Sequence, residues 1–297
     1  MQNPLSYFTH RFNPKKFNLV MTLVVKNEAD IIKANILTHA KYGVDAFVVM
    51  DNGSTDGTRE ILEELKDQVT MTLVDEPSKE FRHKKWRNQL AVLAKQNYQA
   101  DWIINNDADE FWIPNNHRDL KEYLAFKGGV IRVKRTNMLP TVNSFTDEND
   151  FLNSELEVIG TVKHMIPDET HYSYVLTPAF PKVITNPNGL IKVNFGNHTA
   201  EHIAYWKKQE SNDIHIYHYP IRSYAQFESM IENRTKILET VPDVRMGPDY
   251  RRFAKIFREG KLEEEYKSFL FSPEEITLLE RIGMVRRNTI PKEQIVR

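Results

Sequence analysis

The chain has 297 residues, of which 40 are Lys or Arg and 41 Asp or Glu, for a net charge of -1. It therefore lacks the positive field that makes nucleic acid a default partner. Hydrophobic residues at 40% and charged residues at 27% suffice for a full core and exclude a disordered or fibrous chain, while the absence of cysteine excludes disulfides, thiolate metal sites and cysteine nucleophiles and leads us to expect a reducing, cytoplasmic setting.

Residues 1–16 carry Asn, Pro, Ser, His and charges where a secretion signal needs an unbroken apolar run. The apolar stretches Leu19 to Val25 and Ala46 to Met50 fall far short of the roughly 20 residues of a membrane-spanning helix. From Phe17 onward short apolar runs alternate with amphipathic stretches, the pattern of βα units around a parallel sheet. Asn18 to Val25 is predicted as a buried strand. A helix is predicted over Glu28 to Tyr42, where Ile31, Ile32, Ile36 and Leu37 recur at helical spacing. Ala46 to Met50 reads as the second strand, followed by the turn-rich Asp51-Asn52-Gly53-Ser54-Thr55-Asp56-Gly57 and a helix over Thr58 to Lys66. Val69 to Val74 is the third strand. Glu80 to Gln96 is a helix with Trp86, Leu90 and Leu93 on one face, and Trp102 to Ile104 is the fourth strand, running into Asn105-Asn106-Asp107-Ala108-Asp109-Glu110.

After Gly128 the pattern changes to strands and loops rich in Thr, Asn and Pro, with Val130 to Lys134, Lys182 to Ile184 and Ile214 to Tyr217 as strands. From Ser223 the spacing of Ile231, Ile237, Leu238, Phe253, Ile256, Phe257, Leu278 and Leu279 predicts a helical C-terminal region. The expected organisation is an α/β domain with a mixed sheet flanked by helices, divided into residues 1–128, 129–222 and 223–297.

Polar residues gather where three strands end, and ligands of such sheets sit outside the carboxyl ends of the strands. Asp107 and Asp109, followed by Glu110, offer hard oxygen ligands suited to Mn2+ or Mg2+ bound together with phosphates. In an extended segment side chains at i and i+2 share a side, and i and i+1 oppose, so bringing these carboxylates together around one ion requires a turn. Asp51 opens a segment of turn and cap residues; Ser54 to Asp56 can start a helix while Asp51 accepts hydrogen bonds from a base or ribose. Lys26-Asn27-Glu28 ends the first strand in the same way.

In the order and spacing of Val24-Val25-Lys26-Asn27-Glu28, Val49-Met50-Asp51-Asn52-Gly53-Ser54-Thr55-Asp56-Gly57-Thr58, Trp86-Arg87-Asn88 and Ile104-Asn105-Asn106-Asp107-Ala108-Asp109-Glu110-Phe111, the chain resembles the GT-A enzymes of glycosyltransferase family 2. The Lys-Asn-Glu and Asp-Ala-Asp-Glu-Phe wording is similar to the subgroup near family 92, as is Ile214-His215-Ile216-Tyr217-His218-Tyr219-Pro220-Ile221-Arg222-Ser223 further on. The resemblance implies a GT-A-like fold and a nucleotide-sugar donor, UDP-linked, whose nucleoside would be lined by Asn27 and Glu28. It further implies a contact of Asp51 with the base and of Arg87 with the nucleotide, Asp107 at the ribose, sugar or metal, and Asp109 at the metal.

His218 is a candidate metal or diphosphate contact, and His198 a candidate for moving a proton. An inverting transfer needs a base near the acceptor hydroxyl; Glu110, Asp147, Glu148, Asp150, Glu169 and Glu201 compete with His198 for it, with Glu110 beside the metal ligands. Tyr172, Tyr174, Tyr205 and Trp206 could stack on acceptor sugars or fill the core. The basic run Arg82-His83-Lys84-Lys85-Trp86-Arg87 reads as a solvated helix face, not a nucleic-acid surface. The expected partners are the donor and a saccharide or lipid-linked saccharide acceptor, with peripheral membrane contact through the C-terminal helices at the inner face of the membrane. Two other readings compete: a sugar nucleotidyltransferase, which would carry a Gly-rich phosphate loop after the first strand, and a carbohydrate- or nucleotide-binding protein without turnover.

Overall fold

Runs of buried β-branched and apolar residues form the central strands, as expected for strands covered on both faces. A computed structural model describes residues 17–77, 83–116, 118–124, 128–144, 151–160, 172–177, 179–204, 208–241, 244 and 246–296. In chain order the first half runs β1 (Leu19–Val25), α1 (Ile32–Lys41), β2 (Ala46–Asp51), α2 (Thr58–Leu65), β3 (Met71–Asp75), α3 (His83–Tyr98) and β4 (Trp102–Asn106). These four strands are parallel in the order β4-β1-β2-β3. The strand order reverses between β1 and β4, which creates a crevice at their carboxyl ends. Register places Asp51 beside Val25 and Asn106 beside Leu23, so residues 26–28, 51–57 and 107–110 emerge along one edge.

The first helix begins at Ile32 and not at Glu28. Asn27 adopts a left-handed conformation (φ 57°), and the Glu28 carbonyl accepts the N–H groups of Ile31 and Ile32, so residues 28–31 form a turn that feeds the helix.

The second half runs β5 (Glu110–Pro114), β6 (Val130–Leu139), β7 (Leu156–Val158), α4 (Tyr172–Leu176), β8 (Lys182–Thr185), β9 (Leu190–Val193), β10 (Ala200–His202) and β11 (Lys208–His218). It extends the same sheet: β8 lies antiparallel between β4 and β6, while β11 runs parallel to β6 and antiparallel to β5. The expected α/β fold with a mixed sheet is present. Register here sets His218 opposite Glu110 on one side and Asn137 on the other, so the three side chains share a face. Arg135 follows Val133, which faces Lys182, by two residues and shares the Lys182 face.

The remainder consists of α5 (Tyr224–Thr240), α6 (Pro248–Arg258), α7 (Leu262–Lys267), α8 (Pro273–Arg281), β12 (Val285–Arg287) and α9 (Ile290–Gln294). It is helical as expected except for β12, which pairs antiparallel with β7 at the sheet edge. Phe227, Ile231, Phe253, Phe269 and Phe271 pack there with Leu139, Leu156 and Val158 in a hydrophobic cluster separate from those of the sheet. No helix among the described residues is long and apolar enough to cross a membrane.

Candidate active site

At the first two strand ends the turn chemistry is visible atom by atom. Asn27 accepts the Thr55 N–H on its Oδ1 at 2.9 Å, its own N–H donates to Ser54 Oγ at 3.0 Å, and its amide nitrogen reaches Ser229 on α5 at 3.3 Å. It thus ties the first strand end to the second and to the C-terminal helices. One oxygen of the buried Asp51 accepts both the N–H and the hydroxyl of Ser54, at 3.0 and 2.6 Å. That bond shapes the turn and fixes the carboxyl at the edge of the crevice.

At the third end, the Glu110 N–H donates to the Asp107 carbonyl at 3.1 Å and closes the required turn. Asp107 takes Arg87 on one oxygen at 2.8 Å and Lys182 on the other. Burial alone would raise its carboxyl, but Lys182 and Arg87 hold it well below the usual range. Lys182 is only 1% exposed and also meets Glu110 at 3.0 Å. Glu110 is fully buried; Arg135 and Lys182 share its Oε1, while its Oε2 has no hydrogen-bond partner.

Asp109 faces His218 Nε2 at 3.3 Å and the Arg222 guanidinium at 3.9 Å. Against the effect of burial, His218 and Arg222 lower its carboxyl. Arg222 is buried and also binds Glu28 at 2.5 Å and Asp30 at 2.6 Å, joining the first strand end to the acidic turn. Burial, helped by Asp109 and Asp30, outweighs the pull of Arg222 and raises the Glu28 carboxyl to about 8.

The tautomer of His218 follows from its neighbours. The Asn137 amide nitrogen donates to the Val175 carbonyl at 3.0 Å, which turns Asn137 Oδ1 toward His218 Nδ1 at 2.7 Å. In the neutral ring Nδ1 therefore carries the proton, and the Nε2 lone pair points at the Asp109 carboxylate. A divalent cation between the ring and the two carboxylates would take the Nε2 lone pair and the carboxylate oxygens as its ligands. Ligand atoms of Asp109, Glu110 and His218 lie within 4.8 Å of one another, and this mix of two carboxylates and one imidazole suits Mn2+ or Mg2+. Asp107 is not part of this trio, since both its oxygens are engaged by cations.

His198 sits on the loop between β9 and β10. Its Nδ1 donates to the Pro181 carbonyl at 3.0 Å, and burial, reinforced by Lys182, lowers it to about 4, so the ring is neutral. Asp150 lies outside the described residues, as do Asp147, Glu148, Glu169, Tyr205, Trp206, Arg82 and the side chains of Tyr172, His83 and Lys84. Glu201 pairs with Lys192 at the surface, and Tyr174 packs edge-on against Phe253 in the core. Lys182, Arg135 and Asn137 were not singled out by sequence reasoning; only the strand expected over Lys182 to Ile184 hinted at the first.

A family model for glycosyltransferase family 92 matches residues 20–243. No curated protein matches the chain. Among solved structures, residues 1–349 of S. aureus TarS in complex with UDP-GlcNAc match at 14% identity and a TM-score of 0.43, covering 94% of this chain and 78% of that one. Against a longer TarS chain the identity is 14% and the TM-score 0.39; 82% of the present chain is covered, and it spans 43% of that length. Glucosyl-3-phosphoglycerate synthase from Mycobacterium tuberculosis, in complex with Mn2+ and UDP-glucose, matches at 16% identity and a TM-score of 0.30 over 46% of this chain and 49% of that one. All three fall below a TM-score of 0.5, so the functional reading rests on the family and on the geometry of the site.

Proposed function

Because the chain belongs to glycosyltransferase family 92, we propose that it moves a sugar from a UDP-sugar to a saccharide hydroxyl, with inversion, using a divalent cation held by Asp109, Glu110 and His218. The observation that carries this reading is the convergence of those three side chains, two from the turn between β4 and β5 and one from the end of β11, with His218 Nε2 facing Asp109 at 3.3 Å and the unpartnered Glu110 Oε2 beside them. Held by these three residues, a divalent cation would supply the positive charge that neutralises the diphosphate leaving group. Asn27, Glu28 and Asp51 receive the nucleoside. Arg87 orients Asp107, which in turn faces the ribose or the transferred sugar.

His198 is the base. With its Nδ1 proton committed to the Pro181 carbonyl, Nε2 accepts the proton of the attacking hydroxyl. The acceptor oxygen bonds to the anomeric carbon from the face opposite the departing UDP, whose bond breaks with the electron pair going to the diphosphate. Assembly of a surface polysaccharide at the inner face of a membrane is the setting this chemistry serves.

The test begins with thermal shifts against UDP, GDP, CMP and their sugars, with and without Mn2+. A bound nucleotide at a hundredfold excess over its Kd adds about 2.7 kcal/mol of stability. Sugar transfer or donor hydrolysis is then followed in the unsubstituted chain and in Asp109→Ala. Loss of turnover in the variant and in excess EDTA is expected; full activity in either removes the metal from the reading, and nucleotide binding without any turnover favours a binding protein.

A further inference from the structure

Behind the acidic turn lies a set of side chains that the proposed chemistry does not use. Asn35 is wholly buried on α1, and its amide nitrogen donates to the carbonyls of Ala108 at 2.8 Å and of Glu110 at 2.9 Å. These two carbonyls flank Asp109. Asn106 adds a second donor to the Glu110 carbonyl at 3.1 Å and another to Asn35 Oδ1 at 3.2 Å. The Trp112 indole N–H donates to Asn106 Oδ1 at 2.8 Å, while the Trp112 backbone N–H donates to His39 Nε2 at 3.0 Å. His39 Nδ1 closes the ring on the Asn35 carbonyl at 2.8 Å. Asn35, His39, Asn106 and Trp112 are all essentially inaccessible to solvent.

Every carbonyl of the turn is thereby held from behind. The Asp107 oxygen takes the Glu110 N–H, the Ala108 oxygen takes Asn35, the Asp109 oxygen takes the Tyr219 N–H at 2.9 Å, and the Glu110 oxygen takes Asn35 and Asn106. Among these anchors the Asn35 amide is the one side chain that bridges the two sides of Asp109, its single nitrogen donating to the carbonyl before it and to the carbonyl after it. Two consecutive residues, Asp109 and Glu110, must both present a carboxylate oxygen to the same point, although an extended backbone would send them to opposite faces. The curvature that brings them together is the curvature that the Asn35 amide bridges.

We propose that Asn35 is a positioning residue for the cation ligands, setting the turn so that Asp109 and Glu110 converge with His218. The inference rests on the metal reading above. It assigns a metal-affinity role to a side chain that touches neither metal nor substrate, and side chains that orient ligands in this way typically contribute 10- to 100-fold to affinity.

The test uses the full chain with Asn35→Ala and with the milder Asn35→Ser. Mn2+ binding is measured by electron paramagnetic resonance in saturating UDP, the metal-free affinity for UDP by calorimetry, and the melting temperature alongside. The expected result is Mn2+ binding weakened about 10- to 100-fold, with metal-free UDP affinity unchanged. A folded variant that binds Mn2+ as tightly as the unsubstituted chain overturns the inference. So does a parallel loss of metal-free UDP affinity, or failure of both variants to fold, since Asn35 would then serve the fold as a whole. Absence of Mn2+ binding in the unsubstituted chain is a separate outcome: it brings down the metal reading and this inference with it.

Discussion

Glu28, Asp107 and Asp109 follow strands of the parallel half of the sheet and Asp51 ends one, whereas Arg135, Lys182, His218 and Arg222 come from β6, β8, β11 and the segment just beyond it. Arg87 on α3 and Glu110, the first residue of β5, are the exceptions. Each half alone would concentrate charge of one sign at its edge, and a buried charge without its partner costs several kcal/mol. The half that carries the acids places them by short local turns, so their chemistry is written in consecutive residues. The half that carries the cations places Arg135 and Lys182 by the register of β6 and β8, so neither stands in a local motif. The site becomes electrically balanced only where the two meet.

The sharpest way to break that pairing is Lys182→Met, which keeps the bulk of the side chain but leaves Asp107 and the buried Glu110 without it. We expect a loss of about 3 to 5 kcal/mol of stability, read from urea denaturation; a loss below about 1 kcal/mol would mean that Arg87 and Arg135 suffice.

The next effect separates the halves by pH. Burial lowers His39, behind the parallel half, to about 3, with its Nε2 accepting the Trp112 N–H. The unfolded chain takes up this proton near pH 6.5 and the folded chain does not. The stability associated with a neutral His39 is therefore complete above pH 6.5 and lost as the pH falls, by about 2 kcal/mol at pH 5. Against the effect of burial, bonds from His215, Arg286 and Asn288 lower Glu157, in the other half, to about 2. Its contribution is complete above pH 4.5 and is lost only as the pH falls toward 2. Melting curves of His39→Gln between pH 7 and 5 should be flatter than those of the unsubstituted chain; equal slopes would contradict the assignment.

A smaller effect is expected from Asn137→Leu, which removes the acceptor that fixes the His218 tautomer. Mn2+ affinity in the presence of UDP should fall about tenfold, and an unchanged value would mean that His218 is oriented by its strand alone. Least of all should change in Lys192→Ala. Lys192 also comes from the second half and pairs with Glu201 at 2.8 Å, but both are exposed, so the cost should stay below about 1 kcal/mol in the same urea experiment. A larger loss would show that charge number and not burial governs the contrast with Lys182.

The same asymmetry explains what could be read from the sequence. Strands β1 to β4 and their polar ends were legible because apolar runs and turn residues alternate locally. By contrast β5 escaped notice: Glu110 to Pro114 is a short, fully buried run without alternation, and its partner β11 lies about a hundred residues away. For the same reason β12 was hidden among helices, three residues whose strand identity depends on distant β7. A buried lysine has no sequence mark, since lysines are mostly exposed, and neither Asn137 nor Asn35 stands in a motif. Glu110 was visible as an acid but not as one held by two cations, because Arg135 and Lys182 reach it only through the register of β6 and β8.

The pairing of His218 with Glu110 across β11 and β5 also has a consequence in time. During synthesis at about 5 to 20 residues per second, Arg222 leaves the ribosome roughly 6 to 23 seconds after Asp109. Arg87 is made before Asp107, but Arg135 and Lys182 follow only part-way through that interval and Arg222 ends it, and until β11 is made the edge of β5 lacks its partner strand. An unpaired edge and unbalanced acids both favour solvent over burial. The acidic turn is therefore expected to reach its working geometry only after β11 has docked, when most of the chain is complete.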